Sequence, residues 1–325
     1  MLFIDKDEVF RLLTPEACIN VMREALINLE KGCSEQFLRT GIRLPNENIL
    51  GLMPAWLSPE VMGAKIISVY HKNSETGLPS HQGVVLLFDA KTGTPLCMVD
   101  GNSITQVRTG AVSAVATNLL ARPEASSLAL LGAGAQARSH SAALMFVRKI
   151  KEVSVYDQIR ENAESFAKWA EKSLGLTVNV ASGAAEAASE ADIICTLTAS
   201  RIPLLRRSHV KEGAHINAVG ACSPSHRELD TDLVQAARFF GDKLESVMNE
   251  AGDFLIPMAE GAVKKEHFLG ELGQLLSGKA KGRQNDSDIT VFESLGLAVE
   301  DLAASYYVYQ KKQEELQGYV SRETF

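Results

Sequence analysis

The stretch LLGAGAQARSH, residues 130–140, constrains the fold more than any other part of this chain. An apolar run, SLALLG, stops at Gly132 and a helical pattern starts three residues later. Gly132, Gly134 and Ala137 thus form G-x-G-x-x-A at a strand-to-helix turn. The first glycine permits the tight turn, the second lets the backbone approach a pyrophosphate, and the small third residue lets helix and strand pack closely. The helix N-terminus, at Ala135 and Gln136, offers N–H groups to phosphate oxygens. A bare motif of this kind also serves as a ligand-free turn, so its flanks matter. Asp157 closes the next apolar run, VSVYD, where a carboxylate accepts hydrogen bonds from the adenosine ribose and repels a 2′-phosphate. The expected cofactor is NAD(H), with NADP(H) left open because Arg160 lies close enough to soften the preference.

Around this turn the pattern alternates. SLALLG, VSVYD, TVNVA, DIICTLT, HINAVG and RFFGD read as strands, while AQARSHSAALMFVRKI and ENAESFAKWAEKSLG read as helices, the second stopping at Gly175. The fold class is α/β: a Rossmann-type doubly wound parallel sheet over residues 118–301. At 325 residues the chain suits two domains. Residues 1–117 with 302–325 read as a second, α+β domain. It has a helix over TPEACINVMREALINLEKG, β-rich segments NILGLMPAWL, AKIISVYHKN and GVVLLFDAKTGTPLCMVDG, and a hairpin turn at DAKTG. A helix over residues 104–120 links the domains, and a long helix in LGLAVEDLAASYYVYQKKQEELQ returns to the N-terminal part.

Several classes of function are disfavoured. With 33 basic against 40 acidic residues the net charge is -7, which gives no broad positive field for nucleic acid. No apolar run is long enough to span a membrane, and MLFIDKDEVF carries acids where a signal peptide wants a basic and then an apolar run, so a cytoplasmic protein is expected. Five widely spaced cysteines without C-x-x-C read as reduced thiols, and the seven histidines form no H-x-x-x-H pair, so no metal is expected.

Three cations stand out ahead of the glycine turn: Arg43 in RTGIRLP, Lys65 in MGAKIISVY and Arg108 in DGNSITQVRTGA. Lys65 lies in an apolar strand pattern, where an ammonium is costly unless it meets an anion. A fork of Arg and Lys suits a carboxylate. Taken singly, each also reads as a surface cation or an internal ion pair.

Grouping them needs more than spacing. The ordered motifs LMPA, GAKI, LPSHQGVVLLFDAKTGTPL, ITQVRTGAVSA, LLGAGAQA, HINAVGA, REL and SDITVFESLGLAVEDLAA run through nearly the whole chain. In these the chain resembles the ornithine cyclodeaminase and mu-crystallin family. The resemblance implies a substrate and dimerisation domain around a central NAD(P)-binding domain, and hence a homodimer. It implies that Arg43, Lys65 and Arg108 hold the substrate α-carboxylate and that Thr109 contacts the cofactor phosphates. It also puts Thr196, Thr198, Val219 and Ser294 near the ribose and nicotinamide.

The family contains cyclodeaminases, alanine dehydrogenases and ketimine reductases. The discriminating stretch is NAVGACSPSHREL, residues 217–229. The resemblance puts an aspartate of the cyclodeaminases, which steers the distal amine of ornithine, at Cys222. A thiol is normally neutral near pH 7 and cannot pair with an ammonium in that way. The expectation is therefore a substrate without a distal charge, a small cyclic imino acid such as Δ1-pyrroline-2-carboxylate or Δ1-piperideine-2-carboxylate, reduced at C2. Lys65 and His81 are the candidates for a proton donor. Ornithine cyclodeaminase, alanine dehydrogenase and a cofactor-dependent small-ligand binder are the competing readings.

Overall fold

The structure is a computed structural model that describes residues 1–70, 72–73 and 77–320; His71, in the segment AKIISVYHKN, lies outside the described residues. The chain divides into two compact units, Met1–Arg108 with Leu297–Phe325, and Thr109–Gly296. Both divisions fall upstream of the 117/118 and 301/302 junctions expected from sequence.

The first unit opens with β1 (Leu2–Ile4), α1 (Lys6–Leu12) and α2 (Pro15–Glu30). A reciprocal pair starts α1: the Asp5 side chain accepts from Glu8 N, and the Glu8 side chain from Asp5 N. Thr14 caps α2 just before Pro15. Then come β2 (Ser34–Gln36), β3 (Thr40–Arg43), β4 (Ile49–Leu57), β5 (Val61–Val69), β6 (His81–Asp89) and β7 (Pro95–Asp100). They form one sheet ordered β1-β7-β6-β5-β4-β2, with β3 also on β4. The hairpin expected at DAKTG joins β6 to β7, with Asp89 Oδ1 accepting from Lys91 N (2.9 Å) and Thr92 N (2.8 Å). α3 (Gly101–Leu120) follows, its first turn held by Asp100, whose Oδ1 accepts from Ser103 N at 2.8 Å.

The second unit alternates as the sequence pattern requires. Its elements are β8 (Ser127–Leu131), α4 (Ala135–Leu144), β9 (Glu152–Tyr156), α5 (Arg160–Leu174), β10 (Val178–Val180), α6 (Ala184–Ala188), β11 (Ile193–Thr196) and β12 (His215–Ala218). They continue with α7 (Thr231–Ala236), β13 (Arg238–Gly241), α8 (Leu244–Glu250), α9 (Gly252–Ala259), β14 (Phe268–Glu271), α10 (Leu272–Leu276) and β15 (Thr290–Glu293). The strands are parallel, in the order β10-β9-β8-β11-β12-β15-β13-β14. The chain winds outward from β8 in one direction and from β11 in the other, with β15 returning between β12 and β13, so the strand order reverses between β8 and β11. Crevices for ligands form at the carboxyl ends of such strands.

Two details depart from the sequence pattern. The helix expected over AQARSHSAALMFVRKI ends at Leu144. Beyond it the chain turns so that Arg148 caps the C-terminus of α3, its Nη2 donating to Thr117 O (3.1 Å) and Ala121 O (3.0 Å) and its Nε to Arg122 O (3.0 Å). β14 and β15 were not anticipated. In β15 only Val291 and Phe292 are apolar, yet Thr290 and Glu293 beside them are buried too.

His140 locks α4 to α3. Its Nδ1 lies 2.8 Å from Gln136 O, so that nitrogen carries the proton, and Nε2 accepts from Ser113 Oγ at 2.9 Å. Burial pulls its pKa down to about 4. A histidine whose folded value lies below the unfolded one, about 6.5, contributes stability that is full above that pH and is lost as pH falls toward the folded value. Between pH 7 and pH 5 the unfolding free energy therefore drops, and His140→Gln removes about 2 kcal/mol of that drop. Urea unfolding at both pH values reads the difference; equal losses in both proteins would contradict it.

α11 (Ala298–Val320) closes the first unit, lying on α2 and across β4, β5 and β6. Met53, Ala55, Val61, Lys65, Val85 and Leu87 alternate onto the buried face of the sheet, as period two demands. The opposite face exposes Leu50, Leu52, Trp56 and Met62. Among the described residues no helix is long and apolar enough to cross a membrane.

Candidate substrate and dinucleotide sites

In the second unit, Gly132 adopts φ +105, and a Cβ there would stand 2.8 Å from Leu197 O. Only glycine fits without strain. Gly134 precedes α4 with no side-chain cap, and a Cβ on it would meet nothing within 4 Å, so the space over Ala135 and Gln136 is open. Gln136 Oε1 and Ser294 Oγ are buried without a hydrogen-bond partner among the described residues. An open helix N-terminus with buried polar atoms still to be satisfied fits a dinucleotide. Asp157 Oδ2 accepts from Ala133 N and Oδ1 from Ile159 N, each at 2.9 Å, which fixes the carboxylate beside the turn. Arg160 is engaged by Glu164 at 2.9 Å.

The loops after β11 and β12 hold the remaining dinucleotide candidates. Thr196 is fully buried at the end of β11 and Val219 nearly so after β12, while Thr109 is buried in α3. Thr198 donates both its N–H (2.7 Å) and its hydroxyl (2.6 Å) to Glu228 Oε1, and Gly220 N donates to Glu228 Oε2 at 2.8 Å. Glu228, which sequence reasoning did not single out, is a fully buried carboxylate that pins the two loops together; burial pushes its pKa up. Asp253 accepts from Glu228 N (2.8 Å) and Leu229 N (2.7 Å), and burial, reinforced by Glu228, pushes it up to about 8. Cys222 is exposed, and its thiol donates to Val219 O at 3.3 Å.

In the first unit the anion that Lys65 requires is Asp301. Lys65 is 2% exposed in the middle of β5; its Nζ lies 2.5 Å from Asp301 Oδ2 and donates to Thr105 Oγ1 at 3.4 Å. Arg108, buried in α3, donates Nε to Asp301 Oδ1 and Nη1 to Glu300 Oε2, each at 2.9 Å. Glu300 Oε2 also accepts from Leu297 N at 3.2 Å. Burial alone would raise the Asp301 carboxyl, but Arg108 and Lys65 outweigh it and hold it below its usual range. Burial pulls Lys65 down to about 8, against the attraction of Asp301.

Arg43 and His81 are not part of this cluster. The pairings Arg43–Ile49, Ile49–Val69 and Val69–His81 put them in one row across the sheet, on the face that carries Lys65. That row lies four residues along β5, about 13 Å from Lys65 at strand spacing. Arg43 is exposed, and His81 is exposed with Nδ1 3.0 Å from Ser80 Oγ. Glu300 and Asp301 escaped the sequence reading, although two adjacent acids in the apolar run LGLAVEDLAA were a signal, since such groups are rarely buried unless paired.

A profile of the ornithine cyclodeaminase/mu-crystallin family matches residues 2–315. The chain belongs to this family. It is 36% identical over 317 residues to a Delta(1)-pyrroline-2-carboxylate reductase of Bacillus cereus, covering 97% of each chain. With ketimine reductase mu-crystallin of Mus musculus it shares 40% identity over 313 residues, 94% of this chain and 96% of that one. The structure of Thermococcus litoralis Delta(1)-pyrroline-2-carboxylate reductase in complex with NADH and L-proline superimposes with a TM-score of 0.95 at 37% identity, covering 97% of this chain and 98% of that one. Membership accounts for the α/β fold and for the motifs shared along the whole length.

Proposed function

We propose that the protein is an NAD(H)-dependent reductase of cyclic imino acids, converting Δ1-pyrroline-2-carboxylate, and the six-membered homologue, to L-proline and L-pipecolate. The observation that carries this choice within the family is Cys222, a thiol donating to a backbone carbonyl where cyclodeaminase chemistry needs a carboxylate. The likeness to reductases, one of them holding NADH and L-proline, supports it. The compartment that fits is the cytoplasm.

The chemistry NADH would supply when bound is a hydride for C2 of the protonated imine. The rest is positioning and electrostatics. Arg108 and Lys65 bind the substrate carboxylate, the first as a planar fork and the second as a point charge. Arg43 and His81 extend the same face of the sheet toward the substrate. An imine arrives protonated near neutral pH; where a donor is needed, Lys65, with its pKa drawn down to about 8, is the group that can give a proton. Gly132, Gly134, Ala135, Gln136 and Thr109 would take the cofactor phosphates, Asp157 the adenosine ribose, and Thr196, Thr198, Val219 and Ser294 would lie near the ribose and nicotinamide.

The test is oxidation of NADH and NADPH with Δ1-pyrroline-2-carboxylate, beside pyruvate with ammonia and beside L-ornithine with NAD+. The cyclic imine should react at least a hundredfold faster than either alternative. Ammonia released from ornithine at a comparable rate would overturn the assignment. Asp157→Ser should raise the NADPH:NADH ratio of kcat/KM about tenfold, the effect of removing roughly 1.4 kcal/mol of repulsion.

A second copy of the chain covers the open face of the first unit's sheet. Phe3, Leu50, Leu52, Trp56 and Met62 are large apolar residues exposed there together, more than a solitary surface residue needs. Trp56→Asp should convert a dimer to monomers in sedimentation equilibrium; a variant that stays dimeric would place the interface elsewhere.

A further inference from the structure

We propose that Asp301 is a positioning residue of the reductase: its carboxylate bridges Lys65 and Arg108, and so holds the buried lysine as an ammonium aimed at the substrate carboxylate. The inference rests on the reading of Lys65 and Arg108 as carboxylate-binding residues. Lys65 stands in the middle of a sheet with almost no contact with water, where an isolated ammonium is expensive. The charged and titratable groups facing it are few. Asp301 and Glu300 come from α11, Arg108 from α3, and Arg39 from the link between β2 and β3. Cys18 of α2, near Arg108 and Glu300, is a thiol that burial keeps neutral. Two of these neighbours, Arg108 and Arg39, are cations that push against the Lys65 charge.

Of the two carboxylates, Glu300 is committed to Arg108 Nη1 and to Leu297 N. Among the described residues Asp301 alone pairs with Lys65, and it gives one oxygen to each cation: Oδ2 to Lys65 Nζ and Oδ1 to Arg108 Nε. This division fixes the distance between the two cations as well as their charge. An ammonium has three N–H groups. Thr105 accepts one of them, and Asp301 stands against the ammonium as its ion-pair partner. An asparagine at 301 would keep the volume but present an amide N–H to one of two donors.

The experiment follows the Lys65 ε-carbon by 13C NMR in full-length protein with labelled lysine, the resonance being assigned with Lys65→Arg. In the wild type Lys65 should titrate near pH 8. In Asp301→Asn it should lose its proton at least one pH unit lower, a tenfold weaker hold, and Asp301→Glu should restore most of the difference. The alkaline limb of kcat/KM for the imine should move down with the lysine. An unchanged Lys65 titration in folded Asp301→Asn would overturn the proposal. A shifted lysine with an unmoved kinetic limb would keep the hold of Asp301 on Lys65 and remove Lys65 from the substrate, which counts against the reading of the site instead. If Asp301→Asn does not fold, the wild type decides: the Asp301 carboxyl carbon must respond at the pH where Lys65 titrates, and a flat carboxyl signal there would overturn the bridge.

Discussion

Arg108→Ala lowers kcat/KM for the cyclic imine about a thousandfold or more, while the folded fraction still binds NADH. A truncated charge-assisted contact costs roughly 2–5 kcal/mol, and the upper part of that range applies because the guanidinium is buried and, in the proposed site, is the fork for the substrate carboxylate. The same substitution strips Asp301 and Glu300 of a partner in a water-free place. Breaking a buried ion pair from one side costs about 3–5 kcal/mol of stability, so the melting temperature should fall by several degrees. Arg108→Lys separates the effects: it restores a charge for the acids but not the fork, so stability should recover further than activity. Steady-state kinetics, thermal melts and NADH fluorescence titration read the three quantities. Loss of NADH binding by the folded variant would contradict the division of roles between Arg108 and the glycine turn.

Gly132→Val weakens NADH binding about a hundredfold or more, near 3 kcal/mol. The backbone at φ +105 lies where a β-branched residue is strained, and its Cβ would press against Leu197 O at 2.8 Å and the Leu197 carbonyl carbon at 3.0 Å. The turn between β8 and α4 must shift, and the amides proposed to meet the phosphates shift with it. Gly134→Ala makes the informative comparison. Its Cβ meets no atom of the described residues within 4 Å, so the melting temperature should barely change, yet the methyl group points into the space proposed for a pyrophosphate. Calorimetric titration with NADH should show weaker binding for both variants, whereas only Gly132→Val should also lose stability.

Much of this architecture was legible because local pattern and global fold agree. Gly132 and Gly134 stand between an apolar strand and a helix, and Gly175 ends α5 in the left-handed conformation that the sequence suggested. Lys65 inside a strand announced a buried anion without saying which one. Asp301 lies 236 positions away and reaches it only because α11 lies across β5. That is tertiary information, and no periodicity encodes it. The same holds for Arg148, whose service to α3 cut short a helix that its own segment favoured, and for Glu228, whose partners Thr198 and Gly220 meet only after β11 and β12 pair. The three cations grouped by resemblance divide in the structure: Lys65 and Arg108 share one carboxylate, whereas Arg43 stands exposed a row further along the sheet.

The central claim, hydride delivery to C2 of a cyclic imine, is tested most directly by isotope transfer. NADH deuterated at both C4 positions would be incubated with the protein and Δ1-pyrroline-2-carboxylate, and the proline examined by mass spectrometry and proton NMR. The account predicts L-proline carrying one deuterium, at C2, with one NADH consumed for each proline formed. Proline without deuterium, or no proline while ornithine and NAD+ yield ammonia, would contradict it.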